Sequence, residues 1–394
     1  MDKYKRHKIL WKIIRFIASP ILRPIYKYSC QLAPKLESPY LVLSNHNTDL
    51  DPGLVALSFP QQMYFVASEH VYRAGFASKV LRYAFEPIAK RKGTADTVTV
   101  MKTIRALREG KNVCLFPEGQ KSFDGRTGQI NIATGKLVKA SKASLITYKL
   151  EGGYFTTPRW GYGIRKGKMH GSIVNIYTKE DLDKLSPEEI TDLIKKDLWE
   201  DAYQRQSENP IAYKGKNLAK GLEHAFCICP KCKKIDTISS IKNKVFCTSC
   251  DFSATIDKFG YFDESCKFKT VAQWDDFQQE ELKSFVESKN KENSDFLFEN
   301  KNAVLKRVKA EHQEEVVGCG TFAMFTDKFT FTTIQDEKEE ILELPHQEIV
   351  DISMYGKQGL VFSDTKGNYY ELTSKEIMNV RKYIFCFKFL KSTT

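Results

Sequence analysis

The first thirty residues lack any uncharged apolar run approaching the ~20 residues that cross a bilayer. Lys12, Arg15 and Arg23 interrupt the apolar positions there, and Pro20 and Pro24 break them. The same interruptions, with no small-residue cleavage site in view, argue against a secretory signal. Acidic side chains are scarce at this end: Asp2 stands alone against eight Lys/Arg in residues 1–30. No internal repeat or low-complexity tract occurs. The ten cysteines include two close pairs and otherwise lie scattered, the pattern of a reducing cytoplasm rather than of a disulfide scaffold.

What residues 1–30 do contain is Ile9, Leu10, Trp11, Ile13, Ile14, Phe16, Ile17, Ile21, Leu22 and Ile25 among that positive charge. This predicts an interfacial amphipathic helix followed by a Pro-bent apolar segment, with Trp11, Tyr26 and Tyr28 at headgroup level. An ordinary helix packed on the domain shows the same periodicity, and the two readings are compatible. A net charge of +12 and a pI near 9.0 call for an anionic partner, either nucleic acid or an anionic membrane surface. The N-terminal pattern favours the membrane, at its cytoplasmic face, as a peripheral or monotopic protein.

At 394 residues the chain exceeds a single domain. Apolar runs at 40–44, 62–67, 113–116 and 144–149 are candidate strands. Segments 53–58, 70–84, 95–109 and 134–142 are candidate helices. This alternation predicts an α/β domain over residues 31–222, a mostly parallel sheet flanked by helices. Within it, Val98, Met101, Ile104 and Leu107 recur at helical spacing between Thr94 and Gly110 and read as a core-facing stripe. Ser186-Pro187-Glu188-Glu189 starts a further helix over 186–205.

Two strand candidates lead into chemistry. After Leu41-Val42-Leu43 comes Asn45-His46-Asn47-Thr48-Asp49-Leu50-Asp51, with the histidine five residues ahead of the aspartate. A histidine titrates near neutrality and suits a general base. A carboxylate on its other ring nitrogen fixes the tautomer and stabilises the imidazolium. Either acid could instead cap a helix. After Val113-Cys114-Leu115 comes Phe116-Pro117-Glu118-Gly119-Gln120-Lys121-Ser122. No serine or cysteine nucleophile is obviously placed, so the pattern implies direct attack by an acceptor hydroxyl.

Together and in this order, the two blocks resemble the PlsC-like glycerolipid acyltransferase superfamily, which loads a fatty acyl chain onto a glycerol-phosphate lipid. The resemblance covers roughly residues 38–160. It implies an acyl thioester donor, acyl-CoA or acyl-ACP, and a lysophospholipid acceptor, 1-acylglycerol-3-phosphate, giving phosphatidate. It implies His46 as general base and Asp51 as its orienting partner, with Glu118 and Gly119 shaping the acceptor pocket. The family holds the acceptor phosphate with an arginine between the blocks. Here Lys90 and Arg91, in Glu86-Pro87-Ile88-Ala89-Lys90-Arg91-Lys92-Gly93, compete for that role, and Arg91 has the bidentate fork. The family's Thr-Arg-Ser after the glycine is Gln120-Lys121-Ser122 here, which keeps the charge at Lys121 and loses the fork. The proline expected after the strand at 144–149 is absent, with Pro158 coming later.

Cys229-Pro230-Lys231-Cys232 and Cys247-Thr248-Ser249-Cys250 are separated by fourteen residues. Two such knuckles predict a four-cysteine zinc ribbon over 223–256, a closed and therefore structural Zn2+ site, with iron as the other metal four thiolates accept. A single ribbon of modest charge can bind nucleic acid or staple domains, and nucleic acid is not the expected partner. Residues 257–300 read as a helical linker, with a helix from Val271 to Lys289. Residues 301–394 carry many short alternating segments and a final helix, Ser374 to Phe389. That pattern resembles a small mainly-β domain of the pleckstrin-homology or GRAM type, open to a lipid headgroup or a protein partner. Two other functions fit the same sequence. One is acyl transfer to a different lysolipid or an amino-acid lipid. The other is a non-enzymatic adaptor that tethers a membrane through the C-terminal modules.

Overall fold

A computed structural model describes residues 2–73, 75–91, 93, 97–291, 295–308, 314–335 and 338–393. The chain divides into two compact units: Met1–Lys90, Asp96–Lys216 and Lys258–Gly260 form the first, and Arg91–Ala95, Asn217–Asp257 and Tyr261–Thr394 the second.

The first unit runs α1 (Lys3–Tyr26), β1 (Tyr28–Cys30), β2 (Tyr40–Ser44), α2 (Asp51–Ser58), β3 (Met63–Ser68), α3 (Gly75–Ala84), β4 (Ile88–Lys90), α4 (Thr97–Arg108) and β5 (Asn112–Leu115). It continues with α5 (Ile132–Ser141), β6 (Ser144–Glu151), α6 (Gly153–Thr156), β7 (Met169–Tyr177), α7 (Lys179–Asp183), α8 (Pro187–Leu198) and α9 (Ala202–Glu208). Its strands form one sheet in the order β1-β7-β6-β2-β5-β3-β4. Every neighbouring pair is parallel except β6 and β7.

Side chains alternate across a strand, and both faces of this sheet are covered, as parallel strands require. Tyr40, Val42, Cys114, Ile146 and Tyr148 face one apolar cluster, completed by Trp11 and α2. Leu41, Leu43, Val113 and Leu145 face the other, completed by Val138 of α5 and Ile190 and Ile194 of α8. The helix start at Ser186 forms as expected, with a reciprocal Ser186–Glu189 capping box. That helix stops at Leu198, and Asp201 caps a separate α9.

Three sequence expectations need correction. First, α1 runs unbroken through Pro20 and Pro24. Both prolines are exposed and four residues apart, so the backbone bonds they forfeit lie on the outward side of the helix. Second, Trp11, Tyr26 and Tyr28 are buried in the core and do not sit at an interface. The Trp11 indole N–H donates to the Phe59 carbonyl at 3.2 Å, and Tyr28 Oη lies 2.9 Å from Tyr148 Oη. Third, only half of the stripe on α4 is core. Ile104 and Leu107 are buried, whereas Val98 and Met101 are 60% and 63% exposed. Thr99 and Thr103 are buried instead, bonded to the carbonyls of Ala89 and Thr99. The expected helix start at Thr94 lies outside the described residues.

The second unit holds α10 (Leu222–Ala225), the small sheet β8 (Ile238–Ile241), β9 (Lys244–Cys247) and β10 (Ser253–Thr255), and the long helix α11 (Val271–Lys291). Next come β11 (Phe296–Val308), β12 (Glu314–Phe325), β13 (Lys328–Gln335), β14 (Lys338–Pro345), β15 (Ile349–Tyr355), β16 (Gly359–Asp364), β17 (Tyr369–Ser374) and α12 (Val380–Thr393). The last seven strands make a second sheet, ordered β14-β13-β12-β11-β17-β16-β15 and antiparallel throughout. A mainly-β domain with a terminal helix is thus present, and its first strand begins at Phe296. Trp274 of α11 stacks on Phe226 with centroids 3.9 Å apart and donates to the Ile228 carbonyl, joining α11 to the cysteine-bearing segment. Arg381 of α12 pairs with Asp275 at 2.6 Å, and buried Lys382 pairs with Asp236.

Candidate active site

β2 and β5 are parallel neighbours in register, Leu43 opposite Leu115. The loops that follow them therefore leave the sheet at the same end, which is where open α/β sheets gather their chemistry. The first loop carries His46 and Asp51, the second Glu118 and Gly119.

Asp51 opens α2 and is fully buried. Its carboxylate accepts from His46 Nδ1 at 2.9 Å, from the backbone N–H of Asn47 at 2.6 Å and of Thr48 at 2.9 Å, and from Thr48 Oγ1 at 2.6 Å. Such a set of donors matches an ionised, acceptor-only carboxylate and places the imidazole proton on Nδ1. Nε2 then carries the lone pair. The His46 ring lies against Phe116, centroids 4.4 Å apart and 25° between planes, and its side chain keeps 21% of its exposure. The arrangement holds the imidazole in one orientation with part of its edge open, which is what a general base needs.

Glu118 acts on the backbone of the same turn. It accepts the His46 N–H at 2.7 Å and the Gly128 N–H at 2.6 Å. Burial pushes its carboxyl up to about 8, against the lowering effect of those two bonds. The Ser122 N–H closes the link by donating to the His46 carbonyl at 2.9 Å. Gly119 has φ +69°, a conformation that favours glycine, and a Cβ there would lie 3.5 Å from Lys90 Nζ. Lys90 therefore reaches the Glu118–Gly119 turn. Lys121 Nζ lies 2.7 Å from Asp49, within the His46 turn. Arg91 belongs to the second unit, its guanidinium 5.9 Å from the centroid of the Tyr369 ring.

Sequence reasoning passed over Asn45. Its side chain mimics a strand, donating to the Leu150 carbonyl at 2.8 Å and accepting the Leu150 N–H at 2.7 Å. It ties the His46 turn to the end of β6. Gly153 lets α6 approach that turn, since a Cβ there would meet Asn47 Cβ at 2.8 Å. Both partners lie over a hundred residues from the turn in sequence, and no local pattern announces them.

Apart from this site, the sulfur atoms of Cys229, Cys232, Cys247 and Cys250 all lie within 4.8 Å of one another. The Cys229–Cys250 and Cys232–Cys247 separations are 3.7 and 3.8 Å. A tetrahedron built on metal–sulfur bonds of ~2.3 Å has edges of about 3.8 Å, so the four thiolates fit a metal ion. The N–H groups of Lys231 and Ser249 point at Cys229 and Cys247 sulfurs, at 3.4 and 3.3 Å.

The comparisons with known proteins concern the segment that carries the first site. Residues 25–150 match the family model described as Acyltransferase. This part of the chain is similar to that family. It is similar to a chloroplastic 1-acyl-sn-glycerol-3-phosphate acyltransferase of Brassica napus, 27% identical over 133 residues, or 32% of this chain and 38% of that protein. A chloroplastic 1-acyl-sn-glycerol-3-phosphate acyltransferase of Arabidopsis thaliana is 24% identical over 178 residues, 44% of this chain and 48% of that protein. The chain thus spans less than half the length of either curated relative. Among solved structures, the 1-acyl-sn-glycerophosphate acyltransferase PlsC of Thermotoga maritima superposes with a TM-score of 0.43 at 18% identity, covering 50% of this chain and 80% of that one.

Proposed function

We propose that the chain transfers a fatty acyl group from a thioester, on coenzyme A or acyl carrier protein, to the free hydroxyl of 1-acylglycerol-3-phosphate, giving phosphatidate. The observation that carries this reading is the His46–Asp51 pair, 2.9 Å apart inside the segment that matches the acyltransferase family. His46 Nε2 takes the proton of the acceptor hydroxyl as that oxygen attacks the thioester carbonyl. Asp51 stabilises the imidazolium so formed. The tetrahedral intermediate collapses, the carbon–sulfur bond breaks, and the imidazolium returns its proton to the departing thiolate. No acyl-enzyme is needed: the nearby Cys114 is fully buried, and burial pushes its thiol up, away from the reactive thiolate. Glu118 and Gly119 shape the acceptor side, and Lys90 and Lys121 supply the cations for its phosphate.

An anionic membrane surface delivers this acceptor. Among the described residues no helix is long and apolar enough to cross a membrane. α1 instead turns Trp11 and Tyr26 inward and leaves Ile9, Ile13, Phe16, Ile17, Ile21 and Ile25 exposed, Phe16 at 82%. Residues 1–150 hold 25 Lys/Arg against 10 Asp/Glu, and residues 151–394 hold 36 against 39. The apolar face and the excess positive charge thus coincide in the part of the chain that carries His46, which suits a peripheral protein at the cytoplasmic face. The four cysteines hold a structural Zn2+, or iron, with no open coordination position. The C-terminal β domain, read as PH/GRAM-like, offers a surface for lipid or protein.

The test is transfer of labelled acyl groups from acyl-CoA and from acyl carrier protein to lysophosphatidate in vesicles, wild type beside His46→Ala. Phosphatidate from the wild type and not from the variant supports the reading. Product only with another lysolipid moves the acceptor assignment. No product with any acceptor, from folded protein, leaves the adaptor reading.

A further inference from the structure

The loop after α6 places a buried guanidinium under the acceptor side of the site. Arg159 is 4% exposed. Its Nη1 donates to Gln120 Oε1 at 2.6 Å and to the Lys121 carbonyl at 3.2 Å, and its guanidinium lies 5.1 Å from the centroid of the Phe123 ring. Gln120 and Lys121 are the two residues directly after Glu118-Gly119. From the opposite side, the Ser122 N–H holds the His46 carbonyl at 2.9 Å, and Lys121 Nζ reaches Asp49 at 2.7 Å. Residues 120–122 are therefore strung between Arg159 and the His46 turn.

The Lys121–Asp49 pair joins a lysine side chain 18% exposed to a carboxylate side chain 87% exposed. With its acid end in solvent the pair adds little to stability and can exchange partners. On the other side the guanidinium is 4% exposed, and its part-buried bonds to residues 120 and 121 are charge-assisted and directional. Lys121 thus combines an ammonium paired with an exposed carboxylate and a backbone carbonyl held by Arg159. Lys90 Nζ, beside Gly119, supplies a second cation on the same turn.

We propose that Arg159 is a positioning residue of the acceptor site: by fixing Gln120 and Lys121 it presents the Lys121 ammonium, with Lys90, to a phosphate monoester on the incoming lysolipid. Asp49 is the placeholder that the phosphate displaces. Gln120 serves Arg159 rather than the substrate. This inference rests on the acyl-transfer reading above.

The experiment compares wild type, Arg159→Met, Arg159→Lys, Gln120→Ala and the Arg159→Met/Gln120→Ala double variant, with lysophosphatidate and with the phosphate-free 1-oleoylglycerol as acceptors. Arg159→Met and Gln120→Ala should each raise KM for lysophosphatidate about tenfold with kcat within about twofold. The double variant should also sit near tenfold rather than a hundredfold, because the two act through one contact. Arg159→Lys should recover only part of the loss, since it keeps charge without the fork. Rates with 1-oleoylglycerol should not change. Equal losses on both acceptors, a fall in kcat at constant KM, or multiplicative KM effects would overturn the assignment. Amide hydrogen exchange across residues 117–124, which needs no turnover, is the second arm. Exchange there should speed up in Arg159→Met while the sheet stays protected, and unchanged exchange refutes the positioning role even if the wild type transfers no acyl group.

Discussion

Asp51 accepts four hydrogen bonds, and only one of them comes from His46; the other three hold the backbone and hydroxyl of the turn between them. The aspartate thus sets the tautomer of the base and folds the loop that carries it. Asp51→Asn preserves size but puts a donor opposite His46 Nδ1. We expect kcat to fall by about 10³–10⁴ with KM little changed, as when the orienting carboxylate of a catalytic histidine is amidated. Initial rates with saturating acyl-CoA measure this, and equal loss in kcat and binding would contradict it.

Glu118, half-buried but with a desolvated carboxyl, makes stability depend on pH. Its carboxyl is pushed up to about 8 in the fold, from 4.5 in an unexceptional setting. The folded chain keeps a proton there that the unfolded chain releases, so the contribution to stability is full below 4.5 and is lost as pH rises through about 8. Glu118→Gln should flatten this part of the pH–stability curve. It should also lower activity, because Gln presents one acceptor where two backbone N–H groups now bond. Thermal unfolding of both proteins from pH 4 to pH 9 tests the slope.

His346, between Phe329 and Phe387 in the β domain, has the opposite sign. Neither ring nitrogen has a hydrogen-bond partner among the described residues, and burial pushes its pKa down to about 4 from 6.5. Its contribution is full above 6.5 and lost as pH falls through about 4. His346→Phe should make the second unit less sensitive to acid, visible as a lower midpoint of acid unfolding followed at Trp274.

The three candidate phosphate cations should separate by kinetics. Lys90→Met and Lys121→Met are each expected to raise KM for lysophosphatidate about tenfold, the scale of one charge-assisted hydrogen bond. Arg91→Met, at a residue whose guanidinium lies 5.9 Å from the centroid of the Tyr369 ring, is expected to change KM by less than about threefold, a difference under about 1 kcal/mol. A larger effect from Arg91 than from Lys90 would restore the assignment that the sequence favoured.

Metal analysis of the purified chain should return about one zinc or iron per molecule, and Cys247→Ser should lose it. Because apparent metal-binding energies of such sites are ~10–16 kcal/mol, the loss should unfold the segment that Trp274 packs against, with a shift in tryptophan fluorescence. Retained metal and unchanged fluorescence would remove the structural role.

The parts of the site that sequence made legible are those with local causes. His46 and Asp51 are five residues apart, and a single turn brings them together. The cysteine knuckles are legible for the same reason. Apolar runs likewise located β2, β3, β5 and β6. Periodicity failed for β1 and β4, which have three residues each, too few to show a period, and it did not locate β7. It also misjudged α4, where Val98 and Met101 share a stripe with Ile104 and Leu107 but not their burial. Periodicity names a face; what covers that face is settled elsewhere in the chain. Asn45 and Arg159 stayed hidden because their partners are 105 and 38–39 residues away.

The pairing of Leu43 with Leu115 has one more effect. The chain between the two strands, from α2 through α4, is an excursion that lays β3 and β4 beyond the place where β5 then comes back to pair with β2. The distance from His46 to Glu118 is set by two neighbouring strand ends and not by the length of chain between them. Insertions or deletions in the outer parts of that excursion can change the surroundings of the site while the geometry of the His46 and Glu118 turns stays put. In such a fold the range of substrates can drift over generations while the reaction does not.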